Sequence, residues 1–575
     1  MHKGIKSYYV LIVIFVGILV LGTYHVSRKS GYYVDEGMTL FLANGQYNGA
    51  VTSVTEYGFT DFLSTYVWKD NITATVRNVY AMLQEVLHAG NYSEEGTVEW
   101  YDAARKMLQG ESTWISGEAL YEQISVTEQT RFQYPQVYLN QMLDVHPPLY
   151  YMLVHTVFSV WAGEYFDFYL FGINIVLLLG TCAVLYCTVI RFWNNMAAAV
   201  LAVALYGFSQ GFFSCALYFR MYAMETFFVL LTLWLHLYMK EKHWELRKWE
   251  WLRLDAIVLL GFMTHYYYIL FMIPLFIVTV CRMWGGEENR QKLWIYFRNM
   301  LCTGIVSLVI WPFSVYHIFF GYRGTEAMAN FNFHGILNKL ALYGTIFAQA
   351  FFFDSTVVLV LVLFAMLVYC IWRWGKYGEK LQNWQEIVIP SIVYGIIVIK
   401  IAPAVSDRYV MCLFPIIGLL MAIVLTNIIS ALMEGSKTHG IILLVGGIYV
   451  ICSVCFTTPN YLYLERKDNK LGIEEEKRRE MNCLMIADED YRGFPEAYKL
   501  AQFHQVMVVR QADLALLTVN KPQDSTMDIL VYVYNCPESE ELLISASQML
   551  SKDYSGVQQI SSDIEGFEAY IFKGK

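Results

Sequence analysis

Charge is scarce in this chain, proline is scarcer, and no stripe of basic residues runs along it. Of 575 residues, 16% are Asp, Glu, Lys or Arg and 12 are proline. Without a basic stripe the electrostatic footprint of nucleic-acid binding is missing, because Lys and Arg punctuate apolar segments instead. Eleven cysteines are scattered with no pair of CxxC motifs. Cys452 and Cys455 fall inside an apolar run and read as core thiols, while Cys483 and Cys536 allow at most one disulfide in the C-terminal part.

What the chain has in quantity is apolar length. It is 56% hydrophobic with a mean hydropathy of +0.39, and apolar windows of bilayer length recur from residue 8 to about residue 457. That is the composition of a polytopic all-α membrane protein. The N-terminal "MHKGIKSYYVLIVIFVGILVLGTYHV" lacks a small-residue cleavage site, so it reads as an uncleaved first helix, about Tyr8 to Tyr24. A long polar loop, 26–146, follows. Further apolar runs lie near 168–190, 196–214, 221–239, 249–283, 299–319, 355–372, 386–405, 409–433 and 440–457.

Basic connectors assign the sides. Lys3 and Lys6, Arg191, Lys240–Arg253, Arg282–Arg298, Arg373–Lys380 and Lys437 stay cytoplasmic if short Lys/Arg-rich loops do. That parity makes 249–283 two crossings broken near "THYYY", and it makes the run after "LDVHPP" a helix shelving along the outer interface with prolines at its first turn. The count is about 11 transmembrane helices, with the N-terminus cytoplasmic and the C-terminus outside. The domain boundaries follow: a transmembrane domain, 1–458, carrying the outer loop 26–146, and an extracytoplasmic mixed α/β domain, 459–575. In the latter, "NCLMIADED", "QVMVVR", "MDILVYVYN" and "EAYIFKG" read as strands and 494–503 and 538–550 as helices.

The same parity puts a set of polar residues on the outer side. "YYVDEGMT" places Asp35 and Glu36 about ten residues past the first helix, where adjacent carboxylates can serve as general base, metal ligand or solvated loop. "YFRMYAMETF" sets Arg220 between Tyr218 and Tyr222, with Glu225 deeper in the crossing. "IVIKIAPAVSDRY" buries Lys400 and ends on Asp407 and Arg408, cations suited either to a lipid phosphate or to headgroup anchoring. "FMTHYYYIL" puts His265 and Tyr266 at a helix break, which membranes tolerate only inside protein or along a cavity. His146 stands at the cavity mouth or in a structural role.

Five of these stretches resemble, in order, the GT-C membrane glycosyltransferases of family 39, the protein O-mannosyltransferase and lipid A aminoarabinose transferase group: "VDEG", "DVHPPLYY", "RMYA", "THYY" and "RYVMCLFP". The resemblance covers residues 1–435 and implies a GT-C fold. It also implies transfer of a sugar from a polyprenyl-phosphate donor to a protein, lipid or polymer hydroxyl at the outer face of the cell membrane, with inversion. Under it Asp35, with Glu36 beside it, is the catalytic base, and Arg220, Arg408 and Lys400 hold the donor phosphate. His146, Tyr222, His265 and Tyr266 line the cavity. One departure stands out: many relatives read "SQEARMY" where this chain reads "ALYFRMY", so Tyr218 replaces a glutamate. No cofactor and no divalent metal is predicted. The competing class is a transporter or flippase of a lipid-linked or small solute, which buried Lys400, Glu225 and the broken helices would also suit.

Overall fold

A computed structural model describes residues 2–46, 51–89, 98–161, 166–284, 290–330, 335–377, 383–433, 437–462 and 473–575. It divides into two compact units, residues 1–28 with 167–462 and residues 29–166 with 463–575.

The first unit is a bundle of apolar helices. Among the described residues, seven helices are long and apolar enough to cross a membrane, and nine if each of two bent pairs is one span. That is fewer than the eleven expected crossings; the run 249–283 forms two shorter helices, Lys248–Phe262 and Tyr268–Trp284, separated at the anticipated "THYYY" break. The bent pairs have local causes. Met196–Gly207 and Gln210–Leu217 meet at 53°, where Ser209 turns out of the helix and accepts the Phe212 N–H at 3.1 Å, capping the second limb. Ile336–Phe352 and Thr356–Tyr369 meet at 90°, with Phe353 and Asp354 both left-handed, at φ 54° and 64°. The expected crossing 299–319 is the helix Arg290–Ile310, ended by Trp311-Pro312 and followed by a separate short helix, Ser314–Phe319.

Met196–Gly207 is buried all round from Ala197 to Gly207. Water cannot drive helices together inside a bilayer, so close approach through small residues does the packing. A Cβ on Gly207 would stand 2.5 Å from Ile18, and one on Gly418 would stand 3.2 Å from Tyr206.

The basic connectors collect at one end of this unit. Arg191 pairs with Glu241 at 2.6 Å, Lys240 with Glu386 at 3.0 Å, Lys242 with Glu250 at 2.7 Å and Lys292 with Glu245 at 3.1 Å, and Arg282 also meets Glu386. The Tyr222–Glu241 helix of 20 residues spans about 30 Å, so Arg220, just before it, stands at the opposite end. The side chains of Lys3, Lys6, Arg373–Lys380 and Lys437 lie outside the described residues.

The second unit is built on a six-stranded sheet. Its strands are β1 (Ile115–Ser116), β2 (Asn482–Ala487), β3 (Gln505–Arg510), β4 (Ile529–Tyr534), β5 (Tyr554–Ile560) and β6 (Phe567–Gly574), in the order β1-β3-β2-β4-β6-β5. The three central strands are parallel and almost wholly buried, as near-continuous apolar runs require. β5, "YSGVQQI", is mostly exposed and carries no apolar run to announce it. Cys483 and Cys536 are free thiols, and Cys455, on the preceding unit's last helix, is exposed instead of buried in a core.

The grouping differs from a division at 458/459, because the first loop packs with the C-terminal segment. β1 comes from that loop and pairs antiparallel with β3, Ile115 opposite Val506. Ser112 Oγ donates to the Val508 carbonyl at 2.9 Å, and Trp114 Nε1 donates to that of Asn520 at 3.2 Å. The helix Val34–Asn44 lies so close to the backbone at Phe494–Pro495 that a Cβ on Gly37 would sit 2.3 Å from the Phe494 oxygen, while Phe41 and Phe494 meet edge to face at 4.9 Å. The helix after the prolines, Leu149–Val160, starts from Pro148 at its N-cap and buries Tyr150, Tyr151, Val154, His155 and Phe158. It packs inside this unit as well as following the proline signal.

Gly37→Ala must push a backbone carbonyl aside and is expected to destabilise the protein by about 1–3 kcal/mol. Gly172→Ala, with nothing within 4 Å of the added carbon, should leave the melting temperature unchanged or slightly raised. Thermal unfolding of the full chain in detergent compares the two.

Candidate functional site

In the first unit a polar, aromatic array forms where helices end. Arg220 is 3% exposed at the break between Gln210–Leu217 and Tyr222–Glu241. The Tyr218 ring stacks with Tyr222 at 5.6 Å and with Tyr461 at 4.2 Å. Its hydroxyl accepts from Arg408 Nη1 at 2.8 Å, and Arg408 Nη2 donates to the Tyr409 hydroxyl at 2.9 Å. A guanidinium holds its fork geometry well when two rigid phenols fix its plane.

Asp407, next in the chain, is turned to other partners. It accepts from the Tyr461 hydroxyl at 2.5 Å, from Asn460 Nδ2 at 2.8 Å and from Ser406 Oγ at 3.3 Å. Burial, and then the Asp407 charge, push the Tyr461 hydroxyl far above its usual range, so it stays a donor.

Of the remaining predicted residues of this unit, His265 joins the array through Tyr222, Tyr266 bonds elsewhere, and Lys400 is only seen to be buried. His265 Nδ1 lies 2.9 Å from Glu225 Oε2, both side chains buried, and Tyr222 meets the His265 ring edge to face at 5.3 Å. The Tyr266 hydroxyl bonds His317 Nδ1 at 2.9 Å and accepts from Trp311 Nε1 at 2.8 Å. Lys400 is 6% exposed in the last turn of Trp384–Ile401. The break at "THYYY" is thus pinned by side-chain bonds to elements on both sides. Sequence reasoning passed over Tyr461, Asn460, His317 and Trp311. The only trace of the first two is "PNY" after the last apolar helix, a turn signal without chemistry of its own.

In the second unit, Asp35 and Glu36 stand in the first turn of Val34–Asn44, where the helix dipole favours carboxylates. They are not equivalent. Glu36 is fully buried, 3.0 and 3.1 Å from Lys29 Nζ through its two oxygens, and Oε2 also accepts the Tyr33 N–H at 2.6 Å. Both oxygens are committed to holding the start of the helix. Asp35 is half-buried beside it. His146 Nδ1 is 2.6 Å from Asp144 Oδ2, a bond that orients the ring. Among the described residues no three His, Cys, Asp or Glu side chains gather as metal ligands would.

The Lys29–Glu36 pair is fully out of water, so removing one partner strands a buried charge. Lys29→Met is expected to cost about 3–5 kcal/mol, and adding Glu36→Gln should recover most of it. Denaturant unfolding measures both, and an unchanged Lys29→Met midpoint would remove the structural role given to Glu36.

No family model and no curated protein matches this chain. Among solved structures, the apo-state crystal structure of ArnT from Cupriavidus metallidurans aligns over 97% of this chain and 97% of that one, at 10% identity and a TM-score of 0.46.

Proposed function

We propose that the chain is a GT-C membrane glycosyltransferase of the family 39 type. It takes a sugar from a polyprenyl-phosphate donor and passes it to an acceptor hydroxyl at the outer face of the cell membrane, with the N-terminus cytoplasmic and the C-terminal domain outside. The observation that carries the reading is the Arg408 array: a guanidinium fixed by two phenols at a helix end of the apolar bundle, opposite the end where the basic connectors pair off. A lipid-linked phosphate needs a cation at the membrane surface with apolar surroundings for its tail, and this end of the bundle offers both.

The chemistry is one displacement. The acceptor oxygen attacks the anomeric carbon while the bond from that carbon to the phosphate oxygen breaks. The electron pair leaves with polyprenyl phosphate, and the acceptor's proton passes to a carboxylate. Asp35, half-buried beside the Lys29–Glu36 pair, is that base; a general base contributes about 10²–10⁴-fold. Arg408, Arg220 and Lys400 meet the charge that appears on the leaving phosphate. A single in-line step inverts the anomeric centre.

Membrane vesicles carrying the chain and a panel of polyprenyl-phosphate sugars test this. Asp35→Asn should lower formation of glycosylated product by about 10²–10⁴-fold with an unchanged melting temperature. Equal turnover in a folded Asp35→Asn variant would remove Asp35 as base. Movement of solute or lipid across the vesicle with no glycosidic product would favour a transporter.

A further inference from the structure

The first unit holds a cavity none of whose lining residues belongs to the Arg408 array. It has a volume of about 1070 Å³ and lies between three helices, His2–Val26, Met196–Gly207 and Lys437–Phe456. Its lining is apolar throughout, and the Tyr24 hydroxyl is the one side-chain polar group among the lining residues.

Two neighbouring glycines in that lining have different tasks. A Cβ on Gly446 would stand 3.4 Å from Leu201, so Gly446 serves a helix contact. Gly447 is exposed, and a Cβ there would meet nothing within 4 Å. Glycine weakens a helix interior, and no packing contact calls for it at 447. What it leaves is an open trough. The first and last helices are only 22% and 17% buried over their spans, so the trough faces the bilayer. An apolar cleft at that depth stays dry and takes hydrocarbon.

One end of the trough carries a charge. Arg28 is exposed, donates through Nη1 to the Tyr24 hydroxyl at 3.0 Å and stands 5.3 Å over its ring. Tyr24 therefore belongs both to the trough and to the cation's seat. The first span ends at Val26, which puts the pair at headgroup depth, where Tyr and Arg are at home. From Val10 to Tyr24 the lining runs about 21 Å along the first helix, longer than the ~15 Å of hydrocarbon in one leaflet.

We propose that this groove is a binding site for an anionic phospholipid of the surrounding bilayer, with one acyl chain along Gly17 and Gly447 and the phosphate on Arg28. The site does not rest on the transferase reading. Arg28 also sets the choice among lipids, because a choline headgroup brings its own cation toward the guanidinium and a glycerol headgroup does not.

The test releases the purified full chain from nanodiscs of equal phosphatidylcholine and phosphatidylglycerol and weighs the retained lipid by native mass spectrometry. The wild type should keep one phosphatidylglycerol in preference to phosphatidylcholine. Arg28→Gln should lower that preference about fivefold, and Arg28→Lys should keep most of it. Gly447→Leu fills the trough and should abolish retention of either lipid. Gly440→Leu is the control: it lies on the same helix with nothing within 4 Å but outside the lining, and it should retain lipid as the wild type does. Equal retention of the two lipids by the wild type, an unchanged preference in Arg28→Gln, or wild-type retention in Gly447→Leu each overturns the proposal. So does a wild-type dimer that Gly447→Leu dissociates, which would give the groove to a second copy of the chain. If Gly447→Leu melts early, the exposed Arg28 pair of variants decides alone. Sugar transfer is untouched by any of these outcomes.

Discussion

A charge taken out of water must be met by an opposite charge or by donors and acceptors at hydrogen-bond distance, and that cost orders both units of this protein. In the second unit it fixes the start of the Val34–Asn44 helix, because Glu36 cannot be fully buried without Lys29 and the Tyr33 N–H. In the first it separates the ends of the bundle. At one end the basic connectors meet Glu241, Glu250 and Glu386; at the other, Asp407 accepts from Tyr461 and Asn460, and Arg408 donates to the hydroxyls of Tyr218 and Tyr409.

The two units solve the packing problem differently. Inside the bundle, water is no force for association, so contact depends on small residues such as Gly207 and Gly418 that let helices approach. In the sheet unit, apolar strands bury against one another in the ordinary way, and glycine has a narrower task. Gly37 lets a helix from the first loop lie on the backbone at Phe494–Pro495, and Gly117 lies as close to the Phe503 and Ala501 carbonyls. Those contacts, together with β1, where Ser116 pairs with Gln505, make one compact unit from segments more than 300 residues apart in the chain.

How much of this was legible in the sequence follows from the range of each signal. Apolar length and connector charge are local, so the crossings, the break at Thr264–Tyr268 and the opposition of Arg220 to Lys240 could be read directly. The three buried parallel strands were equally plain as apolar runs. The union of the first loop with the C-terminal segment was not, because a two-residue strand has no period and a glycine's close approach depends on a partner far along the chain. The asymmetry of Asp35 and Glu36 was hidden for a related reason: adjacent carboxylates look alike until a helix start and Lys29 single one out. Tyr461 was the least legible, since its importance comes from a left-handed turn and a carboxylate 54 residues earlier.

Tyr218 makes the same physical point from the side of the substitution. The family that the sequence resembles reads glutamate two residues before the arginine matched by Arg220. A phenol accepts the hydrogen bond from Arg408 and, unlike a carboxylate, it offers a ring for stacking. The replacement therefore changes how the arginine is held: the Tyr218 hydroxyl accepts from Arg408 while the ring stacks on Tyr222 and Tyr461.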